Sequence, residues 1–180
     1  DTECMNFDGG AQVESWVTGD MKRFMQSFMG VDDRPWSAFG YSTGGWCAAE
    51  VAVLHQEQYS EGVSLAGYFS PMLPFGLSKR EKNYLSNHYD LIKYLRHDHR
   101  NTKLMIIASV KDRFTNYSAQ KFMKSANSLI PIKYIPIPSG GHNINVWKPY
   151  IAPGFLWISG ANITAAPVIN PQPSASGTRR

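Results

Sequence analysis

The 180-residue chain contains only two cysteines, Cys4 and Cys47, too few for the disulfide frameworks that hold small secreted domains together. Cys47 sits one turn into an expected helix, where a thiol is more often buried than bonded. Cys4 lies near the start, free to pair with something outside this chain. No apolar run approaches the length of a membrane span. There is no secretory leader and no initiating methionine; the chain opens Asp1-Thr2-Glu3-Cys4, as a piece cut from something longer would. Charge is scarce too: the net charge is +4, and the basic residues are scattered. The one denser run, residues 93–103, mixes lysine and arginine with histidines and Asp98, a solvated face with at most a weak pull on anionic surfaces. No metal-ligand spacing and no nucleic-acid recognition motif is present, so neither a metal nor a nucleic-acid partner is expected. What the chain does have is 43% hydrophobic and 13% aromatic residues, enough for one domain with its own core.

Residues 12–28 place Val13, Trp16, Val17, Met21, Phe24, Met25 and Phe28 at spacings of three and four, the apolar stripe of a helix closed by Gly30. Short strands are expected over residues 36–41 and 62–66, with a helix over 43–55 between them. Residues 70–100 are too long for a plain connection and read as an excursion over one end of a sheet, amphipathic around 84–95. Residues 103–110 are the strongest strand, an apolar run of the buried parallel type. A helix over 117–129 and a strand over 132–137 follow, the latter pushed to a sheet edge by its prolines. Residues 146–158 are partly helical. From 161 to 180 the chain is proline- and serine-rich and reads as a disordered tail after a domain of residues 1–160. This alternation of helix and strand indicates an α/β fold with a parallel sheet, with ligands held at the carboxyl ends of its strands.

Three residues fall just past expected strand ends. Ser42 lies in Gly40-Tyr41-Ser42-Thr43-Gly44, a Gly-x-Ser-x-Gly pattern between a strand and a helix, where a sharp turn can hold a serine as nucleophile. The amide of Thr43, at the helix start, can stabilise a developing oxyanion. Taken alone, the motif is equally a serine–glycine turn. Asp112 follows the strongest strand and can orient a histidine; alone it would be read as a helix cap. His142 follows a strand through Gly140-Gly141 and can serve as base. The other histidines, His55, His88, His97 and His99, are better read as surface residues. The order Ser42, Asp112, His142 is that of α/β-hydrolases, and three such residues at successive strand ends outweigh any one of them.

In four stretches, VESWVTGDMKRFM, GYSTGGWCAAEVAVLHQEQYSEGVSLAGYF, SVKDRFTNYSAQKFM and GGHNINVWKP, the chain resembles the esterase family of α/β-hydrolases that takes in esterase D-like enzymes and the antigen 85 mycolyltransferases, most closely its actinobacterial esterases. The resemblance implies a three-layer α/β/α hydrolase fold and a catalytic triad of Ser42, Asp112 and His142, with no cofactor. Aspartate as the acid points to the esterase side, since antigen 85 proteins use glutamate. The resemblance also brings in Trp147, and Tyr41, Tyr68 and Phe69 near the expected site join it as substrate-binding candidates. It covers residues 3–158 but only the later part of the family's domain. The family's first strands, and the loop that supplies a second oxyanion amide, have no counterpart here. The family further implies an extracytoplasmic setting, secreted or tethered to a membrane. An ester or acyl-lipid is the expected substrate. Acyl transfer to an alcohol is the near alternative, and a catalytically silent hydrolase-like module the more distant one.

Overall fold

The computed structural model describes residues 3–95, 101–126 and 129–160. Its centre is a four-stranded parallel sheet in the order β1-β2-β3-β4, which is also chain order. The strands are β1 (Trp36–Tyr41), β2 (Tyr59–Leu65), β3 (Lys103–Ser109) and β4 (Ile132–Ile137). The register aligns their carboxyl ends: Tyr41 faces Leu65, Leu65 faces Ile107, and Ile107 faces Ile135. The ladder runs one step past each strand, through Ser42 N–H to the Leu65 carbonyl, Ala66 N–H to Ile107, and Val110 N–H to Ile137. The loops leaving the sheet therefore start from fixed positions.

β3 shows why the sheet is covered on both faces. Its side chains alternate sides. Leu104, Ile106 and Ala108 join one buried cluster, which includes Trp46 and Ala49 of α3 (Thr43–Leu54) and Ala119 and Phe122 of α6 (Arg113–Ala126). Met105 and Ile107 join the other, with Trp147 of α7 (Ile144–Trp147), Tyr150, and the flanking Ile151 and Trp157 of α8 (Ile151–Ile158). The expected three layers are present. β4 ends the sheet on one side, as its prolines required. β1 ends it on the other and, among the described residues, pairs only with β2.

The first helical stretch runs over residues 13–29 as α1 (Val13–Ser15), a π turn (Trp16–Asp20) and α2 (Met21–Met29). Its apolar stripe is covered only in part. Val13 and Val17 pack against the core, whereas Phe24 and Phe28 are 57% and 80% exposed. The excursion carries α4 (Lys79–His88), opened by a capping box of Ser78 and Glu81, and the short α5 (Leu91–Tyr94). α6 starts four residues before the expected 117, because Asp112 caps it. The end of the excursion, including His97 and His99, and the proposed tail 161–180 lie outside the described residues.

One expectation is overturned. Cys4 and Cys47 form a disulfide with each other, joining the first described residues to the helix that follows Ser42. The 43-residue separation hid the pairing: nothing local brings the two together, and only the packing of Met5 into the core beneath α3 does so.

Candidate active site

The backbone at Ser42 has φ 56° and ψ −120°, a region L-residues avoid. It is held there by the Leu65 carbonyl on its N–H and by α3 starting at the next residue, with Trp46 N–H bonded to the Ser42 carbonyl. Gly40 makes the turn possible, because a Cβ on it would lie 1.9 Å from the Gly44 carbonyl oxygen. Gly44 matters through its backbone alone; a Cβ there would point into open space. The tight helix-side contact is made by Gly45, whose Cβ would meet the Leu65 carbonyl at 2.8 Å. The requirement for small residues around the serine is real, but on the helix side it falls one residue later than the motif indicates.

At the end of β3, Asp112 is 8% exposed. Its Oδ1 accepts the Thr115 N–H at 3.4 Å, capping α6, while Oδ2 lies 2.6 Å from His142 Nδ1. Asp112 thus caps α6 with one oxygen and meets His142 with the other. His142 Nε2 lies 2.8 Å from Ser42 Oγ. With Nδ1–H donated to the carboxylate, the Nε2 lone pair is left to accept the serine hydroxyl. The histidine loop turns at Gly140, which has φ +84° and leaves no room for a Cβ under Val146. Ser109 Oγ donates to the Gly140 carbonyl at 2.5 Å and accepts the Lys111 N–H. One hydroxyl thereby ties the acid-bearing loop to the histidine-bearing loop. Sequence reading missed Ser109, since a serine at a strand end carries no signal of its own.

The aromatic residues divide. The Tyr41 ring stacks on His142, with centroids 5.3 Å apart and planes at 28°, and Tyr41 also meets Trp147. Burial, and after it the Asp112 charge, pushes the Tyr41 phenol up. Tyr68 is almost wholly buried against Trp46; its hydroxyl donates to Glu3 Oε1 and lies 3.3 Å from Thr43 Oγ1. Phe69 is fully buried and stacks on Phe122 in the core, and Trp147 is fully buried behind Tyr41. Like Tyr68, neither offers surface to a ligand, which corrects the expectation for all three. The exposed aromatics near the site are Phe114, whose ring meets Tyr68, and Tyr117. They line a groove with Pro71 and Met72 of the excursion. The amide of Thr43 opens α3, where no carbonyl of a preceding turn is available to it.

His55 is largely buried, against expectation, while His88 keeps 39% of its side chain exposed. Both turn toward Glu14, at 2.7 and 3.7 Å.

No protein-family model matches the sequence, and no curated relative does. Solved structures do match. A ferulic acid esterase superposes with a TM-score of 0.70 at 13% identity, over 87% of this chain and 64% of that one. An S-formylglutathione hydrolase from Agrobacterium tumefaciens gives 0.68 at 17%, over 83% and 57%. A fluorophosphonate-binding serine hydrolase of Staphylococcus aureus gives 0.65 at 17%, over 87% and 67%. The chain thus spans less than two thirds of the length of the first two. At these identities the likeness is one of architecture: the fold is that of the α/β-hydrolases.

Proposed function

We propose that this chain carries the chemistry of a serine ester hydrolase. The reading rests on one observation, the continuous contact from Ser42 Oγ to His142 Nε2 and from His142 Nδ1 to Asp112 Oδ2, at 2.8 and 2.6 Å. In the first step His142 takes the Ser42 proton as Oγ bonds to the ester carbonyl carbon. The carbonyl oxygen gains the negative charge, and the Thr43 N–H at the start of α3 is its donor in this reading. Collapse of this intermediate breaks the carbon–oxygen bond of the ester, and His142 returns its proton to the leaving alkoxide. Water then attacks the acyl-serine by the same route, releasing a carboxylic acid and free Ser42. Asp112 holds the imidazole in the required tautomer and stabilises its cationic form. Positioned proton transfer of this kind contributes about 10²–10⁴ in rate, and an oxyanion donor a comparable factor.

Hydrolysis is favoured over acyl transfer because the site is open: the His142 side chain is 42% exposed, so water reaches an acyl-enzyme without displacing anything. The groove of Met72, Phe114 and Tyr117 suits the apolar part of an ester or acyl-lipid. The open edge of β1 accommodates a further strand, and a segment there would be the source of a second oxyanion amide. A disulfide between Cys4 and Cys47 fits an oxidising, extracytoplasmic setting. Among the described residues no helix is long and apolar enough to cross a membrane.

A fluorophosphonate probe tests the reading. The folded chain is expected to take up one adduct at Ser42, to lose it in Ser42→Ala, and to release a chromogenic alcohol from short-chain aryl esters. A folded sample that takes up no probe rules the reading out. Assays with added alcohols separate the two outcomes of the acyl-enzyme: acid as the main product supports hydrolysis, new ester supports transfer.

A further inference from the structure

On α3, Glu50 is fully buried, and neither of its carboxylate oxygens has a hydrogen-bond partner. An unpaired buried carboxylate costs several kcal/mol. Protonation removes the charge but leaves a carboxyl group that still has nothing to bond. Close by is a second carboxylate. Glu14 is 6% exposed; its Oε1 lies 2.7 Å from His55 Nε2 and 3.7 Å from His88 Nε2, and its Oε2 accepts Tyr89 Oη and Asn6 Nδ2. One ligand atom from each of Glu14, Glu50 and His55 falls within 4.8 Å of the others.

We propose that Glu14, Glu50 and His55 form a structural site for a divalent cation of the zinc type, with His88 as the fourth ligand on its solvent side. Two carboxylates neutralise the ion, and one or two imidazoles bring donors that zinc takes and that calcium or magnesium do not favour. Tetrahedral zinc needs ligand atoms about 3.4 Å apart, so Glu14 and His55, at 2.7 Å, part to admit it while Glu50 draws in. This is within reach of side-chain rotation at Glu50 and at His55, which follows the last turn of α3. The partly exposed His55 and His88 leave the ion a way in. The ligands come from α1, α3, the residue after α3, and the end of α4, which is why no ligand spacing shows in the linear sequence. The ion would clamp these elements together, and none of its ligands belongs to the Ser42 site.

The test uses the full chain carrying His142→Ala, so that the imidazole at Ser42 cannot bind metal, stripped with chelator and dialysed against zinc. About one ion per chain is expected, with affinity falling about a hundredfold or more in Glu50→Gln, and likewise in His55→Gln should the first variant not fold. Zinc X-ray absorption is expected to show nitrogen and oxygen neighbours at about 2.0–2.1 Å. Substoichiometric uptake, equal affinity in the parent and the folded variant, or sulfur neighbours, which would mean capture by reduced Cys4 and Cys47, would each overturn the site.

Discussion

The ring of Tyr41 lies against the imidazole of His142, centroids 5.3 Å apart, so the residue before Ser42 supports the imidazole that meets it. Tyr41 is held from behind by the buried Trp147. Replacing it by alanine removes one wall of the imidazole's seat. Tyr41→Ala is expected to lower kcat for a small aryl ester by up to about a hundredfold, the scale of a catalytic group misplaced by an ångström, with KM little changed. Tyr41→Phe keeps the ring and is expected to retain most of the rate. Equal losses in the two variants would mean that the hydroxyl, not the stacked ring, is what matters.

Two glycines of the serine turn should respond in opposite ways. Gly40→Ala puts a methyl 1.9 Å from the Gly44 carbonyl oxygen, a backbone clash that cannot relax by rotation, and is expected to cost at least about 3 kcal/mol. Gly44→Ala meets nothing and sits in the first turn of a helix; it is expected to be neutral or to stabilise by up to about 1 kcal/mol. Ser42 itself, at φ 56°, should gain stability as glycine and not as alanine, by about 1 kcal/mol. Denaturant melts of the four variants check all of this in one series.

The Cys4–Cys47 bond closes a loop across a separation of 43 residues, for which restriction of the unfolded chain predicts about 4 kcal/mol of stabilisation. The double variant Cys4→Ser/Cys47→Ser, and the wild-type chain in reductant, are expected to unfold at clearly lower denaturant than the oxidised chain, and by similar amounts. A reductant-insensitive midpoint would show that the two sulfurs are not joined in solution.

Tyr59, Tyr68 and Tyr89 are buried phenols whose hydroxyls are spent on the Val17 carbonyl and on Glu3 and Glu14. Burial raises all three, Tyr59 to about 12. A phenol whose folded-state pKa lies above its unfolded value of 10.0 stabilises fully below that value. Its contribution is then lost as pH climbs through the folded one. Thermal stability should therefore fall steeply above about pH 10. Tyr59→Phe, which cannot ionise, should lose less over the same interval; an unchanged slope would contradict the assignment.

Much of this arrangement was legible in the residues. The parallel strands followed from apolar runs bounded by turns, and Ser42, Asp112 and His142 from their places after those runs. The proline-marked strand did fall at the sheet edge. What could not be read were relationships made only by packing. Nothing near Cys4 points to Cys47, and nothing near Glu14 points to His55 or His88, because each pair meets only after α3 settles on the core. Phe69 and Trp147 were misplaced for a related reason: an aromatic next to a motif can face the ligand or the interior, and periodicity in a loop does not decide which. Ser109 was invisible because its role depends on where a loop 31 residues later returns.

The strands lie side by side in the order in which the chain is made. Each can dock on the one before it, so the sheet can grow outward from β1 without any strand being inserted between two others, and each parallel pairing waits for its crossover to be complete. Ser42 arrives with the first strand and Asp112 with the third, but His142 lies beyond the fourth. The contact that links Ser42 to His142 spans a hundred residues and is the last of the site to close. A chain stalled between β2 and the loop after β4 would hold the Ser42 turn without the imidazole that meets it.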